Sequence, residues 1–282
     1  MTAHVRSLKD ILLFRGQQTH KAMVIELSKR QAQITELLQD EQFLNVDQLA
    51  NRYQVTTQTI RRDLNLLCDH GLARRRHGGI EKPAKTGNIA YRHRQIIAQE
   101  AKKAIALEVA KHISNDVSVA FSIGTTPEVV ADALTHHQRL RIFTNNLNVA
   151  LLSTVNPTFN VNIMGGVVRN SDCDVLGNGI EKFFSAYLFD FGIYGVAGVG
   201  ENGALLDFTE DEVRARQLIQ DNSQTTFLVL DDTKFTRKAH VRGGQIGQAT
   251  KVFCNGLPPS SIRDAIASSG SELIICGENQ ST

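Results

Sequence analysis

Two short amphipathic segments stand almost back to back in this chain, at residues 45–53 and 56–67, and their spacing restricts what the surrounding residues can build. In the first, NVDQLANRY, Asn45 is placed to cap a helix and Gln48 holds the capping-box position. Val46, Leu49, Ala50 and Tyr53 form its apolar stripe. In the second, TTQTIRRDLNLL, Thr56 is placed to cap, and Ile60, Leu64 and Leu67 recur at i, i+4 and i+7. Only Gln54 and Val55 separate the two. A helix, a turn of this size and a second helix make a helix-turn-helix. Residues 28–39, with Ile34, Leu37 and Leu38 at helical spacing, supply a helix in front of it.

The second helix has a polar face opposite its apolar stripe. Gln58, Arg61, Arg62 and Asn65 fall there, flanked by Thr57 and Thr59. Arg, Gln and Asn are the side chains that form paired hydrogen bonds to base edges in a DNA major groove. A polar outer face alone is equally the mark of an ordinary surface helix, so the neighbourhood decides. Residues 28–94 carry 12 Lys+Arg against 7 Asp+Glu, whereas residues 95–282 carry 15 against 20. A basic front piece joined to an acidic body points to a polyanion met by the front piece only. Gly71 is expected to stop the helix, and Gly78-Gly79 to turn a hairpin that follows it. Arg74, Arg75, Arg76 and His77 in that wing are expected near phosphates or a minor groove.

These residues carry a resemblance. Arg30-x3-Ile34-x3-Leu38, followed by Thr56-x2-Thr59-Ile60-Arg61-Arg62-Asp63-Leu64, resembles the DNA-binding signature of the DeoR family of bacterial transcription regulators, and His77-Gly78-Gly79 resembles its wing. The signature is long and specific.

Beyond this segment, residues 81–94 contain Pro83, Lys85 and Gly87 and read as a linker, and a helix is expected over 95–113. Strands are expected at 117–123, 141–144, 160–164, 191–196, 226–230 and 272–276, mostly separated by helical stretches. That alternation is the mark of an α/β domain with a largely parallel, buried sheet. The expected domains are therefore an arm at 1–27, a winged helix-turn-helix at 28–80, a linker at 81–94 and an α/β domain at 95–282. The arm has no periodicity. Either it is a weakly basic tail or translation begins at Met23, which intact-mass measurement of the natural product decides.

The first strand of the α/β domain ends in Ser122-Ile123-Gly124-Thr125-Thr126-Pro127. Pro127 suits the first turn of a helix and Thr126 its cap. A strand, a small turn and a helix N-terminus present free N–H groups and a favourable dipole, the makings of a phosphate site. Asn145-Asn146 and Gly165-Gly166 end the next two strands, where ligands of open α/β sheets collect. Gly, Thr and Asn are also ordinary turn residues. The run from Gly195 to Gly200 reads GxxGxG, which is not the dinucleotide pattern GxGxxG, and GxxxxGK[ST] is absent.

The runs IGTTPEVV, LRIFTNNLNVA, DFGIYGVAG, DEVRAR and DDTKF resemble the effector domain of the DeoR family, and within it the glycerol-3-phosphate repressor branch. The resemblance implies a fold similar to sugar-phosphate isomerases. It implies a phosphate on Gly124, Thr125 and Thr126, with Asn145, Asn146, Asp207, Glu210 and Lys234 lining the rest. Ser122 stands where the family commonly has Asp, which bears on which effector is accepted.

Cys68, Cys173, Cys254 and Cys276 form no CxxC pair, which excludes the usual zinc patterns and fits a reducing, cytoplasmic setting. No apolar run reaches membrane-spanning length. No metal or cofactor is expected. The expected function is a transcriptional repressor of carbohydrate or glycerol genes, released from double-stranded operator DNA by a phosphorylated metabolite and working as a homo-oligomer, a dimer or tetramer. The alternative is a sugar-phosphate isomerase with an accessory DNA-binding domain, its base drawn from Asp207, Glu210, Asp211 or Glu212.

Overall fold

The computed structural model of the chain describes residues 27–69, 72–82 and 91–277. Nearly all of the arm, the helix stop expected at Gly71 and most of the linker lie outside those residues. The chain divides between Ile97 and Ala98 into two compact units.

In the first unit, helix α1 (Lys29–Asp40) starts from Ser28, whose hydroxyl accepts from Gln31 N–H while the Gln31 side chain accepts from Ser28 N–H. Strand β1 (Phe43–Asn45) follows, then helix α2 (Val46–Tyr53), capped by Asn45 as its sequence implies. Gln54 adopts a left-handed conformation, φ +52°, and so reverses the chain within two residues. Helix α3 (Thr57–Asp69) comes next. Ile34, Leu38, Leu49, Ile60, Leu64 and Leu67 close over one another in a single apolar core.

Strands β2 (Arg74–Arg76) and β3 (Gly79–Glu81) form the hairpin, and β1 adds to β3 as a third antiparallel strand. The turn is His77-Gly78, one residue earlier than expected, with Gly78 at φ +81°. Gly79 belongs to the strand for a steric reason: a Cβ there would collide with the Leu44 carbonyl. The last residues of the expected linker are helical, α4 (Tyr91–Ile96).

The second unit opens with α5 (Gln99–Ala110). The single helix expected over 95–113 is broken at Ala98, which sits at φ +53°. Strand β4 (Ser118–Phe121), helix α6 (Thr125–Ala133), β5 (Arg141–Thr144), α7 (Leu147–Ser153) and β6 (Asn160–Ile163) alternate as expected. A short hairpin, β7 (Val168–Arg169) and β8 (Asp174–Val175), leads to α8 (Gly179–Phe184) and β9 (Phe189–Tyr194). Then come β10 (Gly198–Val199), β11 (Ala204–Asp207), α9 (Glu210–Asp221) and β12 (Ser223–Leu230). Finally β13 (Val241–Gln245), β14 (Lys251–Cys254), α10 (Ser260–Ser269) and β15 (Glu272–Ile275) complete the unit.

Seven strands form one parallel sheet in the order β15-β14-β12-β9-β4-β5-β6. Successive β4 residues serve opposite faces: Val119 and Phe121 join a core with α5 and α6, and Ala120 joins one with α8 and α9. Burial on both faces explains why β4 reads as continuously buried. Strand order reverses between β4 and β9, so the loops after these two strands diverge to opposite sides and leave a crevice at their carboxyl ends.

Candidate functional site

In the first unit the polar groups gather on α3 and the hairpin. Thr56 Oγ1 accepts from Thr59 N–H at 3.2 Å and lies 2.9 Å from the Thr59 hydroxyl, which caps α3. Thr57 and Thr59 are half-buried, while Gln58, Arg61, Arg62 and Asn65 are exposed. The inner face carries Ile60, Leu64 and Leu67 into the core.

The three arginines of β2 are unequal. Arg74 stands opposite Glu81 in register and donates from Nε to Glu81 Oε1 at 2.7 Å. Arg76 reaches Glu81 Oε2 at 3.3 Å and lies over the Phe43 ring at 5.4 Å. Arg75 pairs in register with the buried Ile80, hence points to the opposite face, and makes no ion pair among the described residues. A cleft of about 560 Å³ is lined by Arg75 together with Arg61, Leu64, His77 and Asp47, and Arg76 borders it from the neighbouring strand position. Arg61 of α3 and the hairpin arginines Arg75 and Arg76 thus line one cleft.

In the second unit the parallel sheet brings the ends of β4, β5, β6, β9 and β12 to one edge. Ser122 Oγ accepts from Gly195 N–H at 3.3 Å and donates to the Ile123 carbonyl at 3.1 Å. Its hydroxyl therefore ties β4 to β9 across the crevice, and the residue is buried. Gly195 also lies against Pro127: a Cβ there would meet the ring at 3.5 Å.

Helix α6 begins two residues earlier than the sequence suggests. Gly124, at φ +118°, occupies the cap position, and Thr126 is inside the first turn instead of capping it. The first intrahelical bond runs from Glu128 N–H to the Gly124 carbonyl at 3.3 Å. The first turn of α6 is thus Thr125, Thr126 and Pro127, and the proline contributes no N–H. Both threonines are buried.

The remaining candidates divide into those turned inward and those left open. Asn146 caps α7 through Oδ1, accepting from Asn148 N–H at 2.9 Å, and donates from Nδ2 to Glu128 Oε1 at 2.9 Å. Asn145 donates to the Val175 carbonyl at 2.9 Å, leaving its buried Oδ1 with no partner among the described residues. Asp207 is enclosed: Oδ2 accepts from Arg216 Nε at 3.1 Å and Nη2 at 3.0 Å, and Oδ1 accepts from Ala197 N–H at 3.1 Å. Burial pushes the Asp207 carboxyl above the usual carboxylate range, against the pull of Arg216 and the Ala197 amide. By contrast Gly165, Gly166 and Glu210 are exposed, and Lys234 is half-buried in the turn after β12.

Two buried ionic arrangements went unread in the sequence. Arg216, on the buried face of α9, is bonded to Asp207 and to the Gly243 carbonyl at 2.7 Å. Arg169 forks onto Asp174 at 2.7 Å through both Nε and Nη2 and reaches Glu212 at 3.0 Å. Arg216 falls in DEVRAR, whose alternating charges look like a solvated helix face. No group of three or more His, Cys, Asp or Glu side chains among the described residues could hold a metal, and no described helix is long and apolar enough to cross a membrane.

Comparison with known proteins bears on both units. Residues 30–86 match the DeoR-like helix-turn-helix domain, and residues 97–255 match the DeoR C terminal sensor domain. The chain is 37% identical over 249 residues to the glycerol-3-phosphate regulon repressor of Escherichia coli (strain K12), covering 88% of this chain and 99% of that one. It is 34% identical over 250 residues to the HTH-type transcriptional repressor CsqR of the same organism, covering 89% and 96%. Among solved structures, ribose 5-phosphate isomerase A from Methanocaldococcus jannaschii matches with 12% identity and a TM-score of 0.37, over 49% of this chain and 55% of that one, too loosely to bear on chemistry.

Proposed function

The chain belongs to the DeoR family and is a DNA-binding transcriptional repressor, and from that premise we propose that a phosphorylated polyol or sugar, glycerol 3-phosphate first among them, releases it from its operator. One observation carries the proposal: α6 starts from Gly124 directly after β4, so a helix N-terminus stands at the strand-order reversal, the place where an open α/β sheet takes its ligand. Glycerol 3-phosphate comes from the name of the relative that is 37% identical. A second repressor, 34% identical, bears another name, so overall identity does not select the effector. The experiment is footprinting upstream of the gene, repeated with a panel of phosphorylated metabolites. Protection that no phosphorylated ligand relieves would contradict the proposal.

In this reading Ser122, Asn146 and Asp207 shape the site by fixing backbone around it, since their polar atoms are already engaged inside the fold. Gly124, Thr125 and Thr126 hold the phosphate, and Asn145, Gly165, Gly166, Glu210 and Lys234 border the remainder of the ligand. The isomerase alternative is not favoured. The relatives that match along nearly the whole chain are repressors. Two of the carboxylates offered as a base, Asp207 and Glu212, are held in ion pairs with Arg216 and Arg169.

On DNA, Gln58, Arg61, Arg62 and Asn65, with Thr57 and Thr59 at the helix start, face the major groove, and Arg75 and His77 reach the backbone or minor groove from the wing. Arg61→Ala and Arg62→Ala are each expected to weaken operator binding by about 1–3 kcal/mol where the arginine reads a guanine. A uniform loss across sequences would assign that arginine to phosphate. Arg75→Ala is expected to weaken binding more than Arg74→Ala, because Glu81 already neutralises Arg74. Equal losses at 74 and 75 would refute the division of the wing into two faces.

A single recognition helix contacts few base pairs, so the repressor is proposed to act as a homo-oligomer, dimer or tetramer, through the α/β unit on repeated half-sites. Leu151, Val155, Ile163 and Val167 are exposed on and around edge strand β6, which supports association there. Sedimentation is expected to show a dimer or larger; monomer alone, free and on DNA, would overturn this. The repressor is placed in the cytoplasm, with its DNA.

A further inference from the structure

Arg30 and Asp63, from the first and last parts of the sequence signature, meet in the fold. Asp63 lies on α3 between exposed Arg62 and buried Leu64, and among the described side chains of that helix it is the one buried charge, 5% exposed. Both of its oxygens are engaged: Oδ2 accepts from Arg30 Nε at 2.6 Å, and Oδ1 accepts from Gln31 Nε2 at 2.7 Å. Gln31 is itself fixed, because its Oε1 accepts from Ser28 N–H at 2.9 Å in the capping box of α1. The start of α1 is thereby clamped to the middle of the recognition helix.

The inner face of α3 otherwise holds to the domain through Ile60, Leu64 and Leu67. Apolar contact is strong but non-directional, so by itself it fixes a helix's rotation about its axis loosely. With side chains reaching about 5–6 Å from the axis, a rotation of about 20° moves their ends by about 2 Å, enough to break a bidentate bond to a base. Hydrogen bonds to a carboxylate are directional and short, and Asp63 has two, both to α1. Buried ion pairs contribute little net stability compared with apolar packing, so the role to look for is orientation.

We infer that Asp63, through Arg30 and Gln31, is a positioning residue for base reading: it sets the rotation of the recognition helix without touching DNA. The inference rests on the chain being a sequence-specific DNA-binding repressor.

The test uses the full chain, an operator fragment defined by footprinting and an unrelated duplex of equal length. Asp63→Asn keeps the shape but loses the charge and one acceptor. It is expected to lower the ratio of operator to unrelated-DNA affinity at least about tenfold, while affinity for the unrelated duplex and its salt dependence stay within about twofold. Those sequence-independent terms depend on the arginine charges, which the substitution leaves in place. A merely structural role predicts that both affinities fall together in step with the unfolded fraction, and either that outcome or an unchanged ratio would overturn the inference. Arg30→Gln serves if Asp63→Asn does not fold, since it leaves the Gln31 bond and Arg30 is partly exposed. The ratio is expected to fall there too, by less, and an unchanged ratio counts against the inference equally. Should the wild type itself prefer no operator, the repressor reading fails; should it prefer one and the variants keep that preference, only the positioning role fails.

Discussion

Replacing Thr125 and Thr126 together by valine is expected to give a repressor that binds its operator normally and no longer releases it. The two residues open α6 directly after β4, beside the strand-order reversal between β4 and β9, where the phosphate is proposed to bind. Valine keeps the branched shape but removes two hydroxyl donors and puts methyl groups beside a doubly charged phosphate. Hydrogen bonds to charged groups contribute roughly 1.5–3 kcal/mol each, so the pair represents at least about 3 kcal/mol, more than a hundredfold in effector affinity. Neither residue belongs to the unit that carries α3, so operator affinity without ligand should stay within about twofold. The check is an operator titration of wild type and double variant with and without glycerol 3-phosphate. If the variant lets go at the wild-type ligand concentration, the phosphate is bound elsewhere.

The second large effect is on stability. Asp207→Ala strands the Arg216 guanidinium, which is 2% exposed, and also leaves the Ala197 amide without its acceptor. Removing one member of a buried pair costs about 3–5 kcal/mol, because the remaining charge is neither solvated nor neutralised. The loss should be visible as a lower urea midpoint for the α/β unit. Asp207→Ala combined with Arg216→Met should recover much of it, since the double change leaves no buried charge. A loss below about 1 kcal/mol for Asp207→Ala would mean that solvent reaches Arg216, and the pair would not be the core feature described here.

What could be read from residues alone, and what could not, follows from the range of the interactions involved. The helix-turn-helix was legible because caps and apolar stripes are local: Asn45, Thr56, Ile60, Leu64 and Leu67 state it within a few turns. The parallel strands were legible because burial on both faces gives continuous apolar runs such as Val119–Phe121. Strand β1 was not, since Phe43–Asn45 is too short to alternate and exists only by pairing with Gly79–Glu81. The same partner explains the misplaced turn: Gly79 is glycine because Leu44 passes over it, a fact held by residues far away in sequence. The break at Ala98 has no glycine or proline to announce it.

At the proposed effector site the backbone was easier to anticipate than the side chains. Gly124, Thr125 and Thr126 declare a strand-to-helix turn, and the structure moves its cap by two positions, from Thr126 to Gly124. Asp207 was assigned to the ligand by resemblance, and its oxygens proved to be taken by Arg216 and Ala197. Arg216 itself was invisible because an arginine in a charged helix gives no sign of being buried. Which acidic and basic residues pair inside a fold is settled by tertiary contacts, and no spacing rule along the chain encodes them.

The central claim is that one phosphorylated ligand and one operator compete for this protein through a shared conformational equilibrium. The most direct measurement is the operator affinity of the wild-type protein, by fluorescence anisotropy at fixed salt, as glycerol 3-phosphate, other sugar phosphates and unphosphorylated glycerol are added in turn. The account predicts that one phosphorylated compound weakens operator binding by about 5–150-fold, that operator weakens binding of that compound by the same factor, and that glycerol has no effect. Operator affinity that stays constant at saturating concentrations of every phosphorylated compound, or that falls equally with glycerol, would contradict it.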